Sequence, residues 1–259
     1  MLSFGGDVRY TAAMAGARER ARVELTAEIL RLARRQVAIG GADSLSLRAV
    51  ARELGMVSSA VYRYFPSRDE LLTQLIIESY DRLGAVVEAA DASVATADFR
   101  ARWEATAQAM RSWAVAFPSE WALLFGTPVP GYRAPQDTIG PATRYTAVLM
   151  GLLVDLEAAG ARYEQAVPAA MAADLEVLRT NFSIDCSVGA LAAGMQSWAA
   201  LMGAISLELF GHLHKVVGTP GALFAAVIDF HGDLLMAAVR DARPALAGTG
   251  TRRRTSKRP

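Results

Sequence analysis

Hydrophobic positions recur along this chain with a helical period, and no stretch alternates with the period of two that a half-buried strand requires. Val23, Ala27, Leu30, Ala33 and Val37 share one side of a predicted helix over 18–39, and Gly40-Gly41 ends it. A second long helix is expected over 67–90, followed by a break over 91–98. Trp103, Ala107, Met110 and Ala114 mark a helix over 99–117, and a short one follows over 121–125. Prolines and glycines between 126 and 135 exclude a helix there. Further helices are predicted over 141–159, 168–179, 184–214 and 220–240. The fold class is all-α: an N-terminal three-helix domain followed by a larger helical bundle.

Residues 47–64, LRAVARELGMVSSAVYRY, carry a sharper pattern. Two helices joined by a turn of three or four residues cross steeply and need a close approach. Ala51 permits that approach, and Gly55 can adopt the positive φ that ends the first helix. Val50, Leu54 and Val61 bury the corner. The second helix keeps an exposed polar face able to enter a major groove. Ser46 is a suitable N-cap for the first motif helix. Ser67 and Glu70 form a capping box at the start of the next one, where Asp69 and Glu70 also suit the positive helix end.

The run from about Arg18 to Tyr80 resembles the N-terminal domain of a TetR-family transcriptional regulator. The most telling segment is Tyr62-Arg63-Tyr64-Phe65-Pro66-Ser67-Arg68-Asp69-Glu70-Leu71-Leu72, which is similar to the family's aromatic and Pro/Ser-basic-acidic-acidic-Leu signature. The resemblance implies phosphate contacts from Tyr62, Tyr64 and Arg68. It implies base-edge contacts from Ser58, Ser59, Ala60 and Arg63. Ser46 and Arg48, at the start of the first motif helix, complete the expected DNA-facing set. Where the family commonly places Ser or Thr as the cap of the reading helix, this chain has Val57. Either Ser58 caps instead, shortening the helix by one residue, or the cap is missing at a cost of roughly 1 kcal/mol.

Charge sharpens the picture. The net charge is +1, so this is not a generally basic nucleic-acid coat protein. Residues 1–72 hold eleven arginines against eight acidic residues. Residues 243–259 end in RRRTSKRP and are expected to be a disordered basic tail, serving either solubility or non-specific phosphate attraction. Residues 1–17 are expected to be a flexible arm. The helix-turn-helix domain is assigned to 18–80 and a ligand-binding and dimerisation domain to 81–242.

In the second domain, the predicted helices 184–214 and 220–240 are apolar beyond what one buried face needs. Gly189, Ala193, Ala200, Gly203 and Ala204 allow close packing on the first. Leu223, Val227, Phe230, Leu234 and Val239 share a side of the second. They are either the core of one chain or a four-helix homodimer interface under two-fold symmetry; the family resemblance favours the dimer. Trp198-Ala-Ala-Leu-Met202-Gly203, followed by Leu207-Glu208 and Gly211-His212, resembles the WHG-type C-terminal domain of some TetR-like regulators. Met202 stands at that pattern's histidine.

Trp103, Met110, Trp113, Trp121, Phe125, Tyr145, Met150 and Phe182 are soft, aromatic residues that serve either as plain core or as walls of a pocket for a hydrophobic small molecule. Gln108, Tyr145, Asn181 and Gln196 could orient a ligand or be satisfied polar groups. No cofactor and no metal site are expected. His212 and His214 would point to different faces of a helix, and no nucleophile triad, phosphate loop or zinc motif accompanies them or His231. The single cysteine, Cys186, fits a reducing cytoplasm. The N-terminus lacks a signal-peptide pattern. The apolar run 189–211 contains Glu208, which would cost ~2.5–3.5 kcal/mol at a bilayer centre, so a buried helix is expected there rather than a span. The reading is a dimeric, ligand-responsive regulator that binds a palindromic double-stranded DNA operator, by default as a repressor. The alternatives are an activator or a helical protein–protein adaptor with the same fold.

Overall fold

The structure, a computed structural model, describes the backbone of residues 5–240 and the side chains of residues 16 and 18–236. The predicted tail over 243–259 lies outside the described residues, as do residues 1–4 of the predicted arm. Among the described residues every regular element is helical, as the periodicity predicts.

The first helix, α1 (Gly5–Gly40), begins well before residue 18, so residues 5–17 continue its backbone where a flexible arm is expected. A 3-10 turn over Ala42–Ser44 leads into α2 (Leu47–Glu53), and α3 (Ser58–Val61) follows the glycine corner. Ile29, Leu30 and Val37 of α1 pack with Val50 of α2, Val61 of α3 and Leu71 and Leu75 of the next helix in one buried cluster. Burying side chains of this size is worth about 1.5–3 kcal/mol each. That is what holds a four-residue helix which could not persist alone.

The next helix, α4 (Arg68–Ala92), belongs to both halves of the molecule. Its first turns supply Leu71, Leu72 and Leu75 to the N-terminal core. Further along, Leu83 and Val87 enter a larger core with α5 (Phe99–Ala116), α6 (Pro118–Phe125), α7 (Ile139–Ala158), α9 (Val188–Leu209) and α10 (Pro220–Arg240). Tyr80 and Leu124 pack against both cores. A third, small cluster joins Leu175 of α8 (Ala169–Asn181) to Cys186 and Leu191. Arg102, almost completely buried, ties the layers by ion pairs to Asp91 at 2.8 Å and Asp155 at 2.7 Å.

The long apolar helix is shorter than the predicted 184–214. It starts where the Ser187 hydroxyl accepts the Ala190 N–H at 3.1 Å. It stops at Leu209, and Gly211 at φ +78° turns the chain away. His212 and His214 therefore lie in an exposed turn, not on a helix. By length and composition α9 could cross a membrane. In the fold it packs against α5, α7, α8 and α10.

Candidate nucleic-acid interface and cavity

The corner between α2 and α3 forms as the spacing predicts. Gly55 sits at φ +67° with nothing within 4 Å of where a Cβ would lie. The requirement is thus conformational rather than steric crowding. Its N–H donates to the Arg52 carbonyl at 3.1 Å, and the Met56 N–H returns to the Ala51 carbonyl at 2.9 Å. Ser46 caps α2 through its hydroxyl, which accepts the Ala49 N–H at 3.3 Å. Val57 occupies the N-cap position of α3 in an extended conformation, with no side-chain hydrogen bond. Of the two possibilities at this position, the missing cap is the one realised.

Behind α3, Val61 and Phe65 are buried, which fixes the outward face. Ser59, Tyr62 and Arg63 are exposed on that face, and so is Arg48 on α2. Ser58, Ala60 and Tyr64 are half-buried at its edges, with Tyr64 packed on the N-terminal core. Among the described residues neither Arg48 nor Arg63 takes part in an ion pair, so both keep all their donors for a partner. Arg68 differs: it donates to the Ala42 carbonyl at 2.9 Å and lies 3.5 Å from the carboxylates of Asp43 and Asp69. It ties the start of α4 to the turn before α2. Ser46 is similarly occupied, since its N–H donates to the Gln36 side chain at 3.0 Å. The capping box at α4 is half made: the Ser67 hydroxyl accepts the Glu70 N–H at 3.1 Å.

A cavity of about 580 Å³ lies between α5, α7, α9, α10 and the end of α8. Three of the eight predicted wall residues line it: Trp103, Met150 and Phe182. Met110, Trp113, Trp121 and Tyr145 are instead buried in the adjoining core, with Phe125 packed against them. Trp121 donates to the Ser206 hydroxyl at 3.1 Å, and burial pushes the Tyr145 hydroxyl pKa up to about 12. Gln108, Asn181 and Gln196 are exposed and do not line it. The wall also includes Thr143, Thr146, Ser197 and Trp198, which periodicity did not single out. Apolar surface dominates it, and the volume falls in the range of small-molecule sites.

An arginine of α7 joins the helix that lines the cavity to α4. Thr143 and Thr146 of α7 face the cavity, while Arg144 faces α4. Its guanidinium meets Asp81 at 2.7 Å and grips Glu88 at 2.9 and 2.6 Å. Those carboxylates raise the Arg144 pKa further above its ordinary value, first through Glu88 and then Asp81.

Comparison with known proteins decides the family. Residues 29–75 match the model of bacterial regulatory proteins of the tetR family, and residues 103–231 match the tetracyclin repressor-like C-terminal domain. HTH-type transcriptional regulator Rv1816 of Mycobacterium tuberculosis is 43% identical over 219 residues, covering 82% of this chain and 92% of that protein. HTH-type transcriptional regulator Mb1846 of Mycobacterium bovis matches to the same extent. The chain belongs to the TetR family of bacterial regulatory proteins. The solved structure of SCO4313 is 35% identical with a TM-score of 0.71, over 82% of this chain and 97% of that one. A protein from Rhodococcus sp. RHA1 is 25% identical with a TM-score of 0.61, over 82% and 94%. The glycine corner of α2 and α3 is thus the helix-turn-helix of a TetR-family, DNA-binding transcriptional regulator.

Among the described residues no group of His, Cys, Asp and Glu could hold a metal ion. Cys186 is buried, and burial raises its thiol to about 11, the opposite of what a reactive thiolate needs.

Proposed function

We propose that this TetR-family regulator is a homodimeric repressor that works in the cytoplasm, holds a palindromic operator through two helix-turn-helix corners, and is released by a hydrophobic small molecule. The observation that carries the reading is the placement of Arg144. It joins the helix lining an apolar cavity to the helix that carries the reading corner.

Each subunit lays α3 in a major groove. Ser58, Ser59, Ala60 and Arg63 face base edges, while Arg48, Tyr62 and Tyr64 face the groove walls and phosphates. Arg68 and Ser46 hold the corner in shape. Half-sites one helical turn, ~34–36 Å, or a multiple of it apart suit two such corners.

The dimer forms through α9 and α10. Phe230 is 68% exposed in the single chain; Leu234, one turn further along α10, and Leu207 on α9 are exposed as well. Gly203 on α9 leaves open space where a Cβ would sit, enough for a partner helix to approach. An apolar stripe on two adjacent antiparallel helices is the half of a four-helix bundle.

Ligand in the cavity shifts α7, and Arg144 carries the shift to α4. A differential affinity of 1–3 kcal/mol between the two arrangements is sufficient for regulation.

The test is an electrophoretic shift of DNA from upstream of the protein's own gene. Retention should fall steeply with salt, as counterion release requires. Retention of unrelated DNA with equal affinity would count against an operator-specific regulator.

A further inference from the structure

The deep wall of the cavity is apolar. Leu149, Leu152, Leu153 and Leu235 are buried there with Trp103, whose indole N–H is already spent on the Ile228 carbonyl at 2.9 Å. The rim differs. Phe182, Ser183 and Asp185 are exposed at the end of α8 and also line the cavity. None of the described lining residues is Lys, Arg or His. An anionic group drawn into this site would lose its hydration without meeting a cation, a cost ligands avoid.

Three features at the rim favour positive charge. Asp185 is a lining residue that makes no ion pair among the described residues, although Arg179 is close enough to feel its charge. Phe182, another lining residue and 53% exposed, offers an aromatic π face. The negative end of the α8 macrodipole closes the same edge. Arg179 is the nearby cation, and Glu176 holds it by two hydrogen bonds, at 3.1 and 2.5 Å.

We propose that the cavity takes a lipophilic cation, with an apolar body among the leucines and a positively charged group at the Asp185–Phe182 rim. The inference rests on the cavity being the effector site. It narrows that site's chemistry: quaternary or protonated amines with an alkyl or aryl body are preferred over fatty acids, acyl phosphates and other anionic amphiphiles.

Trp103 and Trp198 line the wall, so their emission reports occupancy. The full chain is titrated with three probes that share an eight-carbon chain: octyltrimethylammonium, 1-octanol and octanoate. The cation should bind saturably and about fivefold more tightly than the alcohol, the scale of one exposed ion pair, with octanoate weakest. Asp185→Asn should remove that advantage and leave the alcohol unchanged. Gly151 lines the cavity with nothing within 4 Å of an added Cβ, so Gly151→Leu should block all three probes without disturbing the helix. Probe binding that survives Gly151→Leu, or no binding by any probe, overturns the effector-cavity reading and this proposal together. Binding that Gly151→Leu blocks, with octanoate equal to the cation or an unchanged cation-to-alcohol ratio in Asp185→Asn, overturns the cation alone.

Discussion

Arg144 on α7 and Glu88 on α4 meet through two parallel hydrogen bonds, 2.9 and 2.6 Å long. The fork geometry fixes orientation as well as distance, which a single lysine contact would not. Gly84 lies under the same side chain: a Cβ there would come within 2.7 Å of the Arg144 Cβ, so any larger residue would push α4 and α7 apart. Arg144→Met should preserve ligand binding in the cavity and operator binding without ligand. It should bring the ratio of operator affinities without and with ligand towards one. Anisotropy of a labelled operator, titrated in both conditions, measures that ratio. A ratio equal to that of the unaltered protein would show that Arg144 carries no coupling.

The three arginines of the reading corner should separate by phenotype. Arg48→Ala should reduce the salt slope of operator binding by about 1, and Arg63→Ala should relax discrimination at one base position, both leaving thermal stability alone. Arg68→Ala should also lower the melting temperature, because it frees the Ala42 carbonyl from its side-chain partner. Equal melting temperatures for all three variants would contradict the structural role given to Arg68.

Val57 is 71% exposed in the N-cap position of α3. Val57→Ser supplies an acceptor for an orphan N–H of the first turn. It should add ~0.5–1 kcal/mol of stability, raising the melting temperature by ~1–4 °C for a chain of this size. Calorimetry reads the shift directly, and an unchanged or lower value would mean the first turn is satisfied in another way.

Phe230→Asp places a carboxylate beside Asp229 and Asp233 on the face assigned to self-association. Light scattering should then give a particle of 27.6 kDa, where the unaltered chain gives twice that mass. Operator affinity should fall with it, since one corner alone holds a half-site. A Phe230→Asp protein that stays dimeric would move the interface elsewhere.

His231 titrates below its ordinary value because burial disfavours the imidazolium. Its Nδ1 lies 3.1 Å from the Ser197 hydroxyl, which itself donates to the Ala193 carbonyl. The unfolded chain therefore binds this proton more readily than the folded one. The stability tied to neutral His231 is present above the unfolded value near 6.5 and is lost as pH falls through the lower folded value. Denaturant unfolding at about pH 7.5 and about pH 5.5 should show a larger drop for the unaltered protein than for His231→Gln. Equal drops would place the acid sensitivity at another group.

The reading corner was legible in the sequence because every residue type there answers to a local constraint. Gly55 answers to φ, Ser46 and Ser67 to orphan N–H groups, Ala51 and Val61 to helix approach. The cavity wall was less legible. Periodicity tells which side of α5 or α7 is buried, but not whether a neighbour fills the space. Met110 and Trp121 are packed solid, while Met150, on the same evidence, borders a void. The Arg144 clamp escaped notice because its partners lie 56 and 63 residues away in the chain. Helix ends depended on capping, and α9 shows it. Ser187 and Gly211 trimmed a hydrophobic run that composition alone extends further.

The span of α4 from Arg68 to Glu88 is ~30 Å at 1.5 Å per residue. A stiff rod of that length converts small angles into large displacements. A tilt of ~5° about Glu88 swings the Arg68 end by ~2.6 Å, close to the ~3.4 Å step between base pairs. Two mirrored swings would change the spacing of paired recognition surfaces by ~5 Å, enough to lose registry with the duplex while every buried side chain keeps its neighbours.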